Sequence, residues 1–158
     1  MRVRSLMAFA VLAFAASLAH AQIPQYGPNV TLEQAKKVLA AGEAEAKKNG
    51  WPVAIAVVDT TGALVAFVKM DGTQNGSVMA SQDKASSSAL YRRSSKVFQD
   101  VLAKGGDGLR VLTLRGASAV EGGVPLYVDG KVIGAVGISG AAPDQDSVVA
   151  KAGADALK

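Results

Sequence analysis

The chain has 158 residues, no cysteine, a single histidine and a formal net charge of +4. Without cysteine it forms no disulfide and offers no thiol nucleophile, so its stability has to come from its core. Lys and Arg (17) only slightly outnumber Asp and Glu (13), and no basic stripe alternates with aromatic residues, which excludes a nucleic-acid-binding protein on composition.

The first residues have the parts of a secretory signal peptide. A basic start, Met1–Arg4, precedes an apolar run at 6–18, and the small residues Ala19 and Ala21 mark a cleavage site. The apolar run is too short to span a bilayer, although an uncleaved membrane anchor is the alternative interpretation. We therefore predict a signal peptide at residues 1–21 and a periplasmic or secreted protein.

Cleavage after Ala21 changes which chemistry is open to the mature chain. It leaves residues 22–158, about the length of one domain, and removes His20, the only histidine. Without imidazole or thiol, Ser-His-Asp and Cys-His catalysis and the usual zinc sites are excluded. No metal site is predicted, and no later segment is long and apolar enough to cross a membrane.

The first half of the mature chain predicts a lead-in, a helix and a hairpin. Residues 22–30 contain two prolines and a glycine and are predicted to be flexible. Thr31 begins a capping box, and the helix that follows ends at Gly50. Apolar runs at 53–58 and 63–70, on either side of turn residues, predict two paired strands.

Two further helices and a third strand are predicted in the middle of the chain. The helices cover residues 78–91 and 94–103, and a glycine-rich loop follows at 104–108. The alternating sequence at 110–114 predicts a strand, with a loop as the alternative.

An Asp-Gly hairpin completes the sheet. The apolar runs 124–128 and 131–138 flank Asp129-Gly130, which is the strongest short-range signal for a hairpin. Pro143, followed by acidic residues, begins a last helix. The order α-β-β-α-α-β-β-β-α, in which hairpins outnumber crossovers, predicts an α/β (α+β) domain with helices on a mainly antiparallel five-stranded sheet.

Candidate site residues lie beside the glycine pair that precedes this hairpin. Gly122 and Gly123 have no Cβ, so a ligand or another backbone can approach them closely. Glu121 is a weak candidate for a general base, and Lys84 is a charged residue on a helix of small residues. The alternative for Lys84 and Glu121 is an ordinary salt-bridged or exposed role.

Three other features have a structural and a functional interpretation. Arg92-Arg93 ends a helix and is either a solvated terminus or a clamp for a carboxylate. Met70 is typical of a core residue. Glycines at 134, 137 and 140 lie within a strand and its exit, which favours close packing and excludes a dinucleotide-binding loop.

The order and spacing of several motifs carry a family resemblance. They are AIAVVDTTGALVAF (54–67), KMDG (69–72), SQDKASSSALYRR (81–93), EGGVPLYVDGKVIGAVGISG (121–140) and QDSVVAKAGADAL (145–157). From about Thr31 to Lys158, the chain resembles the GlcG/HbpS-type family, also called the haem-degrading domain family. The resemblance implies an α/β/α sandwich on a five-stranded antiparallel sheet, like the profilin class. It also implies homo-oligomers, dimers or larger, with pockets near the subunit interfaces.

The resemblance also implies a ligand. Family members bind haem, in some cases with haem breakdown, or accompany corrinoid or glycolate metabolism. The expectation is therefore an exported haem (tetrapyrrole)-binding protein, in which Lys84 and Arg92 neutralise the propionates. Its pocket would be shaped by Glu121, Gly122 and Gly123.

The iron ligand and two other functional hypotheses follow from the same residues. Because the mature chain lacks His and Cys, iron would be held by Tyr91 or another tyrosine, by Met70 or another methionine, by Lys, or by a hydroxyl or water. The alternative is a porphyrin held mainly by apolar contacts and by clamping of its propionates. One alternative is a binding protein or enzyme for a small carboxylate such as a 2-hydroxy acid, with Glu121 as general base. The other is an oligomer that binds a partner protein and has no ligand of its own.

Overall fold

The computed structural model describes residues 23–158, and the predicted signal peptide lies outside them. None of the helices in the described part is long and apolar enough to cross a membrane. The elements follow in the order α1 (Leu32–Asn49), β1 (Ala54–Asp59), β2 (Leu64–Lys69), α2 (Ser77–Tyr91), α3 (Lys96–Leu102), a 3-10 helix (Gly106–Thr113), β3 (Gly123–Val128), β4 (Lys131–Ser139) and α4 (Pro143–Asp155).

The strands form one antiparallel sheet with helices on both faces. The strand order is β2-β1-β4-β3, so the two predicted hairpins lie side by side through the β1–β4 pair. Helices α1 and α4 cover one face over a core of Val, Ile and Leu side chains, and α2 covers the other. The predicted class, a helix-covered antiparallel sheet, is confirmed, and the sheet within residues 23–158 has four strands instead of five.

The missing strand is the predicted one at 110–114. These residues belong to the 3-10 helix, except for Leu114 at its end; the helix packs on α3 and is not one of the strands of the sheet. Their alternation does not correspond to a buried and an exposed face, because Val111 is buried whereas Thr113, two residues later, is exposed like Leu112 and Leu114 on the other side. The alternation was therefore a misleading signal, since a strand needs a sheet edge to pair with as well as a period of two.

Helix α2 lies unusually close to the sheet. A Cβ on Gly137 of β4 would overlap the carbonyl of Ser81 and the amide of Ala85, and one on Gly123 would overlap the carbonyl of Lys84. The buried side of α2 is correspondingly made of small residues, mainly Ser and Ala. Gly134, Gly137 and Gly140, which were predicted to mark close packing, all do so. A Cβ at Gly134 or Gly140 would likewise overlap a carbonyl, that of Val58 or Pro52 respectively.

Residues 23–30, predicted as a flexible lead-in, run along the sheet and are called the N-terminal strap here. The β1–β4 pairing stops at Gly134, which leaves the backbone of β4 beyond it without a partner on that side. The strap supplies one, because Gly27 N–H donates to Val132 O (2.8 Å) and Val30 N–H donates to Ile133 O (2.7 Å). Buried backbone groups require such partners, so the strap is held by the sheet.

Two local predictions are confirmed at element ends. Thr31 and Gln34 form a reciprocal capping box at the start of α1. Asp129 (φ 50°) and Gly130 (φ 72°) both have positive φ, as a type I′ hairpin turn between β3 and β4 requires.

Candidate functional site

A cleft opens between α2, the loop at 116–120, the end of β4 and the start of α4. We call it the polar cleft; its volume is about 240 Å³. A neighbouring hollow of about 360 Å³ shares Asp83 and Ser118 with it. The cleft is lined by Ala80, Asp83, Lys84, Ser118, Val120, Ser139, Ala141, Pro143 and Asp146.

The floor of the polar cleft is a buried ion pair. Lys84 Nζ lies 2.8 Å from Asp146 Oδ2, and the two side chains are only 5% and 2% exposed. Lys84 also donates to Ile138 O (2.9 Å), and Asp146 Oδ1 accepts from Ala141 N–H (3.1 Å). An ammonium has three N–H donors, and within residues 23–158 two of those of Lys84 have a protein acceptor.

The glycine pair makes room for this ammonium. Gly122 has φ 118°, and a Cβ there would lie 2.8 Å from Ile138 O and 3.0 Å from Lys84 Nζ. A side chain at this position would therefore displace Lys84 or strain the backbone. The sequence predicts that a ligand or another backbone approaches Gly122 and Gly123 closely. In the structure, α2 and the side chain of its Lys84 make this close approach.

The environment of Asp146 sets its proton affinity. Burial raises the pKa of this carboxyl above its usual range, and the hydrogen bond and positive charge of Lys84 oppose that rise without cancelling it. The carboxyl of Asp146 therefore holds a proton more tightly than an exposed aspartate does. In residues 23–158 no cluster of three or more His, Cys, Asp or Glu side chains could hold a metal ion.

Glu121 lies next to α3 and outside the residues that line the polar cleft. Its Oε2 accepts from Gln99 Nε2 (3.4 Å) and lies 3.7 Å from Lys96 Nζ, with the side chain 12% exposed. Its backbone N–H donates to Gln99 Oε1 (2.9 Å). These contacts attach the 116–121 loop to α3, and the role of general base stays a prediction.

The other predicted site residues are dispersed. Arg92 Nη1 donates to Pro24 O (3.0 Å), and its guanidinium lies 4.9 Å from the centre of the Tyr26 ring, so it holds the N-terminal strap. Tyr91 OH donates to Arg115 O (2.8 Å). Met70 contacts the core between the sheet and helices α1 and α4. The structure therefore does not bring Lys84, Arg92, Tyr91 and Met70 together in one site.

A second cavity lies between α3 and the 3-10 helix. We call it the apolar cavity; its volume is about 310 Å³, and two guanidinium groups, of Arg93 and Arg110, stand among apolar walls. Arg93 Nε donates to Tyr91 O (3.1 Å), and Arg110 Nη1 donates to Asp107 O (3.3 Å). The remaining lining residues are Val97, Phe98, Val101, Val111, Thr113 and Leu114.

The sequence singles out Arg93, as part of Arg92-Arg93, but not Arg110. The predicted strand at 110–114 places Arg110 in the sheet, whereas the structure places it in the 3-10 helix beside α3. The Gly105-Gly106 pair could have indicated the position of Arg110, because such a pair ends the preceding helix and a new helical turn can begin after it.

Comparison with known proteins identifies the family. Residues 30–155 match the family model described as haem degrading protein HbpS-like. This chain belongs to the HbpS-like family.

Individual relatives agree with this assignment. Protein GlcG of Escherichia coli K12 is 42% identical over 107 residues, which cover 68% of this chain and 78% of GlcG. HbpS has a solved structure that matches with a TM-score of 0.75 and 28% identity, over 85% of this chain and 94% of HbpS. Protein ORFY of Klebsiella pneumoniae matches with a TM-score of 0.76 and 28% identity, over 86% and 95% of the two chains.

Proposed function

We propose that this HbpS-like protein is an exported haem-binding protein and that the apolar cavity is where the tetrapyrrole binds. Membership of a family described as haem degrading supports a haem-related ligand. PduOC, which shares the fold at a TM-score of 0.74 and 23% identity, was solved as a complex with heme. The observation that carries the choice of site is the pair Arg93 and Arg110 beside apolar walls.

The residues of the apolar cavity fit the chemistry of haem. A porphyrin is a flat apolar ring with two propionates, and apolar walls with two guanidinium groups match both parts. The volume of about 310 Å³ is at the lower end of the roughly 300–1,000 Å³ of ligand pockets, so part of the ring would stay outside. Bound haem supplies redox and oxygen chemistry at its iron. The lining residues include neither His nor Cys, the common protein ligands of haem iron. The hydroxyl of Thr113 would be the oxygen that this lining offers to the iron.

A hemin titration of residues 22–158, followed at the Soret band, tests the function and the site together. Each guanidinium–propionate contact contributes about 1.5–3 kcal/mol, so the Arg93→Ala/Arg110→Ala variant should raise the Kd about 100-fold or more. Lys37→Ala is the matched control, because it removes an exposed cation on α1. Arg92→Ala and Lys84→Ala test the sequence-based clamp in the same way.

Each outcome of this titration has one meaning. A saturable band that is unchanged in the double arginine variant would move the haem site out of the apolar cavity. A spectrum equal to that of hemin with an unrelated protein would contradict haem binding itself, and the small-carboxylate and partner-binding hypotheses would then be favoured.

Export and assembly are part of the proposal. A mature mass that lacks residues 1–21 in the periplasmic or culture fraction would support the signal peptide, and a full-length cytoplasmic product would contradict it. A homo-oligomer is expected from the family, and Leu109 (52% exposed) and Leu112 (70% exposed) provide apolar surface for it. Light scattering that gives the monomer mass at every concentration would contradict the oligomer.

A further inference from the structure

The polar cleft combines a buried positive donor with an exposed acid, and the haem proposal uses neither. We propose that this cleft is a second binding site, for a small monocarboxylate that carries a hydrogen-bond donor on the neighbouring carbon. A 2-hydroxy acid and a 2-amino acid share this chemistry. The site is independent of the apolar cavity, because the two have no lining residue in common.

The floor of the cleft favours a carboxylate. Lys84 is 4% exposed, and one of its three N–H donors has no acceptor among residues 23–158. Ser139, 6% exposed, brings a hydroxyl to the same floor, where it is shared with Ser77 (3.2 Å). A carboxylate oxygen is the acceptor that a spare ammonium N–H binds most strongly, because the bond is charge-assisted.

The charges around the cleft limit the ligand to one negative charge. Asp146 already neutralises Lys84, so the floor is a dipolar pair and not a free cation. Asp83 on α2 is an exposed carboxylate of the lining, and the exposed Asp144, in the first turn of α4, is close enough for its negative charge to act on Asp146. They repel every ligand carboxylate, and a second one would have no spare ammonium N–H to offset that repulsion.

The opening of the cleft favours a donor next to the ligand's carboxylate. Asp83 lines both the polar cleft and the adjoining hollow, and it is an exposed acceptor. A ligand hydroxyl or ammonium can donate to it while the carboxylate faces Lys84. The other walls, Ala80, Val120, Ala141 and Pro143, are apolar, and a volume of about 240 Å³ suits a molecule below drug size.

Titration of isotopically labelled protein, residues 22–158, with four matched probes tests this site by NMR. Lactate and alanine have both features, propionate lacks the donor, and lactamide lacks the carboxylate. We expect lactate, alanine or both to shift the amide signals of Asp83, Lys84 and Ser118 in a saturable way. Propionate and lactamide should bind about tenfold more weakly or not at all, because each lacks one hydrogen bond to a charged group.

Two variants test which class of ligand binds, a 2-hydroxy acid or a 2-amino acid, and whether the Lys84–Asp146 pair holds it. Asp83→Asn should lower the affinity for alanine more than the affinity for lactate. The lost carboxylate faces the ammonium of alanine but only a neutral hydroxyl in lactate. Lys84→Met/Asp146→Leu removes the ion pair without leaving a lone charge and should abolish both titrations. Asp100→Asn, an exposed acid on α3, is the control and should change neither.

The outcomes separate this proposal from the haem proposal. Loss of probe binding in Lys84→Met/Asp146→Leu, together with an unchanged hemin titration, supports two independent sites. The proposal of a carboxylate site would be overturned by saturable shifts that persist in a folded Lys84→Met/Asp146→Leu variant. It would also be overturned if no probe shifted the signals of the polar cleft. If that variant does not fold, an unchanged affinity in Asp83→Asn/Ser118→Ala would overturn it equally.

Discussion

Lys84 and Asp146 show how one residue pair can control both stability and a site. A buried charge is costly in a low-dielectric interior unless a partner of opposite charge and further hydrogen bonds compensate it. Here each member has a second partner, Ile138 O for the ammonium and Ala141 N–H for the carboxylate. The pair also joins α2 to the first turn of α4 across the end of β4.

Lys84→Met should therefore destabilise the protein strongly. It leaves the Asp146 carboxylate buried without its cation, and breaking one side of a buried pair costs about 3–5 kcal/mol. Lys84→Met/Asp146→Leu should recover most of this loss, because apolar residues of similar volume carry no desolvation cost. Urea unfolding at pH 7 measures both, and an equal loss in the single and double variants would contradict the account.

The pH dependence of the same pair has a definite sign. Because burial raises the pKa of Asp146 in the folded state above the unfolded value, the folded protein binds this proton more tightly. The stability contributed by Asp146 is therefore highest at acidic pH and decreases as the pH rises through the folded pKa. In the Lys84→Met variant the decrease should extend to higher pH and be larger in total, since the ammonium that opposes the rise in the pKa of Asp146 is gone, and unfolding measured from pH 4 to 8 would reveal it.

At the scale of elements, the approach of α2 to the sheet is set by residues without side chains. Gly137 and Gly123 face each other across the β3–β4 pair, and the backbone of α2 lies over both. Backbone can come this close only where no Cβ intervenes, and the Ser and Ala residues of α2 complete the contact. The glycine spacing and the helix were both visible in the sequence, whereas the packing of this helix on these glycines was not.

Gly137→Ala should therefore destabilise the fold by about 1–3 kcal/mol or more, because its methyl group would force α2 away from β4. Gly76→Ala is the matched control. Gly76 lies at the start of α2 with a negative φ, and a methyl group there would meet nothing within 4 Å, so the effect should stay within about 0.5 kcal/mol. Thermal unfolding of the two variants compares them directly, and equal melting temperatures would contradict close packing at Gly137.

At the scale of the whole molecule, the N-terminal strap connects parts that are distant in sequence. It pairs with β4, and the single O–H of Tyr26 is shared between the carbonyls of Ala89 (3.0 Å) and Leu90 (2.9 Å) at the end of α2. Arg92 closes the connection through Pro24 O and the Tyr26 ring. The strap begins just after the predicted cleavage site at Ala21, so all of it belongs to the predicted mature chain.

Removal of residues 22–30 should lower the free energy of unfolding by about 1–3 kcal/mol, since several backbone and side-chain hydrogen bonds are lost. Tyr26→Phe should cause a smaller loss, because it keeps the ring beneath Arg92 and removes only the hydroxyl. Urea midpoints that are the same for residues 22–158 and 31–158 would show that the strap contributes nothing to stability.

Local patterns in the sequence were sufficient for the features that depend on neighbouring residues. The capping box at Thr31, the Asp129-Gly130 turn, both hairpins and the helix-covered antiparallel sheet all follow from spacing, turn chemistry and hydrophobic period. Lys84 stood out because it is a charge among small residues. The family resemblance, confirmed by the match over residues 30–155, extended these inferences to a ligand class.

Features that depend on distant partners required the folded chain. Lys84 and Asp146 are 62 positions apart, and no local pattern identifies such a pair. Alternation at 110–114 predicted the wrong element because strand formation depends on an available sheet edge, and Arg110 was misplaced with it. Local sequence thus specifies most of the elements and the residues able to do chemistry, whereas packing specifies which of them meet, because contacts between distant segments form only when the whole chain folds.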